Sequence, residues 1–140
     1  MNKLHRLLIK HEGKMNFPYE DSTGHISIGV GRNLTDRGLS DSEVFMLLNN
    51  DLEISVTELT TAFPWFAELN EARQDALISM HYNLGLPRMS KFRKTLKLLE
   101  EGSFHAASLE MLDSKWADQV GKRARDLSKM IATGEYIELS

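Results

Sequence analysis

Glu12-Gly13, Pro18-Tyr19-Glu20-Asp21 and Gly24-His25-Ile26-Ser27-Ile28-Gly29-Val30-Gly31 make up the stretch on which the fold turns. Ahead of it, residues 3–11 carry Leu4, Leu7 and Leu8 on one helical face, with Ile9 more loosely beside them and Lys3, Arg6 and Lys10 elsewhere. Gly13 ends that helix, as a glycine just past the last turn often does. The texture then changes. Pro18 and the cluster Asp21-Ser22-Thr23-Gly24 mark turns, and Ile26-Ser27-Ile28 alternates with the period of a strand. Two or three short strands in a small sheet are expected. One carboxyl therefore sits at a helix end, a second in a turn nine positions later, and a hydroxyl on the next strand.

Beyond this stretch the pattern is helical. Ser40-Asp41-Ser42-Glu43 has the form of a capping box. Val44, Leu47, Leu48 and Leu52, with Val56 and Leu59 further on, recur at helical spacing. A helix over about 41–60 would span about 30 Å and could join two lobes. Phe63-Pro64-Trp65-Phe66 breaks it. Asn70 can cap the next helix, with Ala72, Ala76, Leu77, Met80 and Leu84 inward, and Gly85-Leu86-Pro87 stops it. Ser90 can cap another through Phe92, Leu96 and Leu99. Gly102-Ser103 starts one through Phe104, Ala107 and Met111, and Ser114 a short piece around Trp116. A last helix runs from about Gln119 to Ala132. This is an α+β pattern in a single domain, 1–140. A sheet lobe covers about 13–40 and a helical lobe about 61–140, the latter taking in the helix at 3–11.

With 140 residues, 41% apolar and 26% charged, the chain can bury a real core. No apolar run approaches the roughly 18 residues needed to cross a bilayer. The start is basic, its apolar stretch too short for a secretory signal, so action beyond a membrane would need another way through. The chain has no cysteine, which excludes disulfides, thiolate chemistry and cysteine-ligated zinc. Histidines 5, 11, 25, 81 and 105 show no HExxH spacing, so surface or core roles are favoured over metal ligation. Gly29-Val30-Gly31 is not a dinucleotide fingerprint, because Leu34 stands where its third glycine belongs. Net charge is −3, unevenly spread. Residues 88–125 hold nine Lys/Arg against five Asp/Glu, a surplus of four positive charges, and the remainder carries −7. A basic half on an acidic protein suggests an anionic partner, although any single lysine is better read as solvated surface.

Two carboxyls and a water-holding hydroxyl are the minimum kit for cutting a glycosidic bond. The negative end of a helix dipole disfavours a carboxylate at Glu12, which suits an acid that must deliver a proton to a leaving sugar oxygen. An exposed glutamate at a helix end is also common, and the residues after Gly13 decide between the two. Donors around Asp21 (Ser22, Thr23, Gly24 and their N–H groups) favour the ionised form, which divides the labour between the two acids. Alone, Asp21 would be read as an Asx-turn residue. If Ile26 and Ile28 point into the core, Ser27 faces a cleft and can hold a water with Asp21. Otherwise it is a small polar residue on a solvent-facing strand position.

Together these residues resemble the phage-type lysozymes, the muramidase endolysins of tailed bacteriophages, above all those of T-even coliphages. The family's E-G pair, Y-x-D and G-x-x-[T/S]-I-G-x-G run stand here as Glu12-Gly13, Tyr19-Glu20-Asp21 and residues 24–31. Similarity continues at Leu34-Thr35, Leu47-Leu48-Asn49-Asn50-Asp51, Met80-His81-Tyr82-Asn83-Leu84-Gly85, Ser114-Lys115-Trp116 and Gly121-Lys122-Arg123-Ala124. The resemblance implies a lysozyme-like fold, with the small sheet lobe joined by the long helix to a larger helical lobe. It implies inverting hydrolysis of the β-1,4 bond between N-acetylmuramic acid and N-acetylglucosamine in peptidoglycan. Glu12 would be the general acid, with Asp21 and Ser27 positioning and activating water. The carboxyls would then be roughly 6.5–9.5 Å apart. Arg123 matches an arginine that reaches back to the catalytic glutamate. Substrate contacts carry over to Asn33, Tyr82, Thr95 and Glu110, with Asn83 beside them.

Several positions depart from that pattern. Ser27 replaces a threonine, keeping the hydroxyl but losing the methyl that restricts its rotamer. Arg32 replaces a histidine whose partner matches Asp51, so an Arg32–Asp51 pair would keep the bridge and remove its titration near neutral pH. Glu110 is acidic where a neutral amide is usual, and Asn33 and Thr95 also differ in type. The implied partner is the glycan strand, which a positive helical lobe would attract through its stem carboxylates. No cofactor, metal, nucleic acid or stable membrane insertion is expected, and the protein should be a monomer. It would wait in the host cytoplasm for a holin pore. A lytic transglycosylase would not need Asp21. An inactive wall-binding module would not need Glu12, Asp21, the hydroxyl at 27 and Arg123 together.

Overall fold

The computed structural model describes residues 1–139. The chain divides into two compact units, Met1–Leu47 and the residues from Leu48 onward.

The first unit opens with α1 (Lys3–Glu12), started by a reciprocal cap. The Asn2 side chain accepts from the His5 N–H at 2.9 Å, and the Asn2 N–H donates to the His5 ring at 3.0 Å. The N–H of Gly13 donates to the Ile9 carbonyl at 2.8 Å and ends the helix with φ +82°. Three antiparallel strands come next in chain order, β1 (Met15–Glu20), β2 (Ile26–Gly29) and β3 (Arg32–Asn33). The β1–β2 register shifts between Met15 and Tyr19. Pro18 lies inside that irregular stretch, where a residue without an N–H does least harm to the ladder. A short α2 (Leu34–Arg37) closes the sheet region, and α3 (Asp41–Ala62) begins on the expected box. Ser40 N–H donates to Glu43 Oε1 at 2.9 Å, and Glu43 N–H to Ser40 Oγ at 3.3 Å. The sequence pattern groups α1 with the later helices, but the structure groups it with the strands. The reason is local, since Gly13 turns the chain directly from α1 into β1.

The second unit is helical: a 3₁₀ turn (Pro64–Glu68), α4 (Glu71–Leu84), α5 (Leu86–Met89), α6 (Arg93–Glu100), α7 (Phe104–Leu112), α8 (Lys115–Val120) and α9 (Lys122–Thr133). Leu59, Leu77, Met80, Met89, Leu99, Met111 and Ile131 are fully buried, each contributing about 1.5–3 kcal/mol by burial. Phe92 meets Trp116 edge-on at 5.9 Å. Arg73 seals the end of α9, its Nε donating to the Ile131 carbonyl at 2.8 Å while its guanidinium lies 3.7 Å from the Phe104 ring centre. Inside the core, His81 of α4 meets the Ser55 hydroxyl of α3 at 2.9 Å.

Asn70 and Ser114 cap α4 and α8 as expected. Ser90 does not start a helix but ends α5, its N–H donating to the Leu86 carbonyl at 2.8 Å; α6 starts after Phe92, which makes no side-chain cap hydrogen bond. Gly121, at φ +56°, splits the expected last helix into α8 and α9. On α3 only Ser55 and Leu59 are buried, while Val44, Leu47, Leu48 and Val56 stay well exposed. No helix among the described residues is long and apolar enough to cross a membrane.

Candidate active site

Glu12 is the last residue of α1 and is exposed. Its carboxylate lies against the turn between β2 and β3. A Cβ built on Gly31 would stand 3.3 Å from Glu12 Oε2, and Gly31 itself has φ +72°. Glycine is therefore required there twice, by the backbone and by the approach of the acid.

Asp21 sits in the β1–β2 turn, closed by its N–H donating to the His25 carbonyl at 2.8 Å and by Gly24 N–H donating to its carbonyl at 3.1 Å. Three hydrogen bonds reach its side chain, and all end on Oδ1: from Thr23 N–H at 2.9 Å, Thr23 Oγ1 at 2.7 Å and His25 N–H at 3.0 Å. The Thr23 hydroxyl does most to hold this carboxyl below its ordinary range. The His25 and Thr23 N–H groups and the His25 charge add to it, and partial burial opposes them. Among the described residues, no hydrogen bond reaches the second oxygen of Asp21, Oδ2.

Ser27 corrects the expected facing. It is 4% exposed, whereas Ile26 is 41% exposed. Ser27 has a strand partner on each side, Tyr19 and Asn33, while Ile26 pairs with Glu20 and Ile28 with Arg32. The small side chain takes the doubly flanked position, where neighbouring strands on both sides cover most of the residue. Glu12, Asp21 and Ser27 all belong to the first unit.

Arg32 is a second correction. It does not pair with Asp51. Its Nη1 donates to Glu43 Oε1 at 2.7 Å and to the Gly38 carbonyl at 3.2 Å. Glu43 is already oriented by the Ser40 cap, so the guanidinium meets a carboxylate fixed in place. Arg32, and then Ser40, hold the Glu43 carboxyl down at about 2, and the same bond raises Arg32. Asn33 spends its amide on Asp36, accepting from its N–H at 3.0 Å and donating to its carboxylate at 3.1 Å. It is the cap of α2.

The remaining expected residues belong to the helical unit. Arg123 donates to the carbonyl and hydroxyl of Ser79 at 2.8 and 3.1 Å. It lines a mainly apolar cavity of about 460 Å³ together with Leu52, Val56, Ile78, Tyr82 and Tyr136. Tyr82 is exposed. Asn83 accepts from the Trp116 indole at 2.8 Å, so it anchors the core tryptophan. Thr95, buried, and Glu110 border a larger cavity of about 690 Å³ into which Arg88, Lys91, Lys94 and Lys115 bring the basic stretch together.

Two groups escape sequence reasoning. Thr23 donates to Asp21 as expected, but His25, which joins it on Oδ1, was not read as a donor there. Ser55 and His81 meet inside the helical core without any motif.

Comparison with known proteins covers most of the chain. The family model described as phage lysozyme matches residues 9–130. A protein named probable T4-type lysozyme 2 from Dictyostelium discoideum is 25% identical, covering 99% of this chain and 98% of its own. Probable T4-type lysozyme 1 from the same organism is 26% identical over 88% and 89%. The pre-baseplate central spike protein Gp5 of Enterobacteria phage T4 is 24% identical, matching 91% of this chain but 27% of its own length.

Proposed function

Since the chain belongs to the phage lysozyme family, and so to the lysozyme-type glycoside hydrolases, we propose that it cleaves the β-1,4 bond between N-acetylmuramic acid and N-acetylglucosamine in peptidoglycan with inversion. Glu12 protonates the leaving glycosidic oxygen. Asp21, ionised, holds the attacking water on the opposite face of the sugar through Oδ2, and Ser27 helps to position it. Positive charge builds on the sugar ring in the transition state, and the carboxylate of Asp21 opposes it.

The observation that carries this reading is the hydrogen-bond asymmetry of Asp21. Oδ1 is saturated by Thr23 and His25, which fixes the carboxylate plane and keeps the group charged. Such an acid suits the holding of water. Its partner Glu12 borders a turn that glycine alone keeps open. Arg123 is kept as a supporting residue, and Tyr82, Thr95 and Glu110 as substrate contacts, on the family pattern. The biological role proposed, lysis of a host cell from within, rests on the family as well.

The test is clearing of purified Gram-negative peptidoglycan. The wild type should clear it and release new reducing ends. Glu12→Gln should fold and leave less than a few per cent of that rate. Full activity in Glu12→Gln, or 1,6-anhydro ends in place of reducing ends, would contradict the reading.

A further inference from the structure

The turn around Asp21 holds a relay that water activation alone does not use. Thr23 Oγ1 lies 2.7 Å from Asp21 Oδ1, His25 Nδ1 lies 2.5 Å from Thr23 Oγ1, and His25 Nε2 lies 3.2 Å from Asp36 Oδ2. A hydroxyl has one proton, and an ionised carboxylate only accepts. The Thr23 proton therefore points at Asp21. The Thr23 oxygen must then accept, which puts a hydrogen on His25 Nδ1. A second proton, on Nε2, would face Asp36. The charge on Asp21 sets the direction of the first two bonds; at the third, the Asp36 carboxylate only accepts, so the donor there must be Nε2.

The row also supplies what the backbone cannot. Thr23 N–H and His25 N–H both reach Oδ1, yet the terminal torsion of an aspartate is broad and two-fold. A third donor with its own anchor narrows it. We propose that His25 is a positioning residue for Asp21: acting through the Thr23 hydroxyl and braced by Asp36, it fixes Oδ1 and so aims Oδ2 at the attacking water. This rests on the assignment of Asp21 as the water-holding acid.

The experiment measures kcat and KM on soluble peptidoglycan fragments for Thr23→Val, His25→Ala, their double variant and His25→Asn, with Asp21→Asn alongside and a thermal midpoint for each. An asparagine amide N–H takes the place of Nδ1. His25→Ala and Thr23→Val should each lose about tenfold in kcat, with KM within about twofold, the effect of a misplaced catalytic group. The double variant should lose no more than either single one, and His25→Asn should recover most of kcat. Wild-type kcat in His25→Ala beside an inactive Asp21→Asn would overturn the proposal. So would multiplying losses in the double variant, or an asparagine no better than alanine. Should His25→Ala fail to fold, Thr23→Val and His25→Asn decide on the same terms. Wild-type turnover in Asp21→Asn would instead remove the assignment beneath the proposal, and the proposal with it.

Discussion

The carboxylate of Glu12 packs over the backbone of Gly31, 3.3 Å from where a side chain would begin. The end of a helix and the tip of a hairpin are thereby joined through one acid, and the missing Cβ is what leaves that acid its place.

Gly31→Ala should therefore harm activity beyond its effect on folding. Gly29 is the control, with φ +71° and nothing within 4 Å of its would-be Cβ. Each alanine should lower stability by about 1–2 kcal/mol through the left-handed backbone. Only Gly31→Ala should also lower kcat, by about tenfold or more, because Oε2 must move. Equal turnover in the two variants, from urea melts and lysis rates, would show that Glu12 tolerates the displacement.

The Arg32–Glu43 pair gives a stability contribution with a defined pH window. The folded Glu43 carboxyl sits at about 2 against an ordinary 4.5, so the folded form is the stronger acid. Its stabilisation is present above about pH 4.5 and is lost as pH falls towards 2. The Tm gap between wild type and Glu43→Gln should be widest near neutrality and close over that interval. Arg32→Ala and Glu43→Gln should be non-additive, while Arg32→Ala and Asp51→Asn should add. Coupling of Arg32 to Asp51 instead would restore the pairing expected from the sequence.

Ser27→Ala should lower turnover with little change in Tm. The residue is small and largely buried, and loss of its hydroxyl leaves a cavity no larger than one oxygen. Unaltered turnover would mean that it holds no water.

Asn83→Ala should act on the fold. Removing the acceptor leaves the Trp116 indole N–H without its partner, and Trp116 is buried, a loss of about 1–3 kcal/mol. Denaturant melts would read this directly. An unchanged midpoint with a raised KM would return Asn83 to substrate binding.

What could be read from the sequence was whatever closes within a few residues. The Ser40–Glu43 box, the caps at Asn70 and Ser114 and the stop at Gly13 each join neighbours along the chain, so composition and spacing suffice. Ser90 failed because the start of α6 is set by Phe92 against Trp116, a contact across the core. The facing of Ser27 failed for a different reason: alternation separates two faces of a strand but does not say which is covered. Arg32 found Glu43 because the cap had already oriented that carboxylate, a coupling of two local motifs that neither displays alone. Glu12 and Asp21 were legible as acids at a helix end and in a turn. The Thr23 donors to Asp21 were legible as neighbours in a turn, but the part of His25 was not, because it depends on ring and hydroxyl geometry.

The proposed catalysis depends on Glu12 giving a proton while Asp21 delivers water to the far side of the sugar. Proton NMR of the first product formed from a soluble β-linked glycan strand tests this directly. Inversion predicts that the new reducing end appears as the α-anomer before mutarotation. A β-anomer would mean retention through a covalent intermediate, and the paired roles given to the two acids would be wrong.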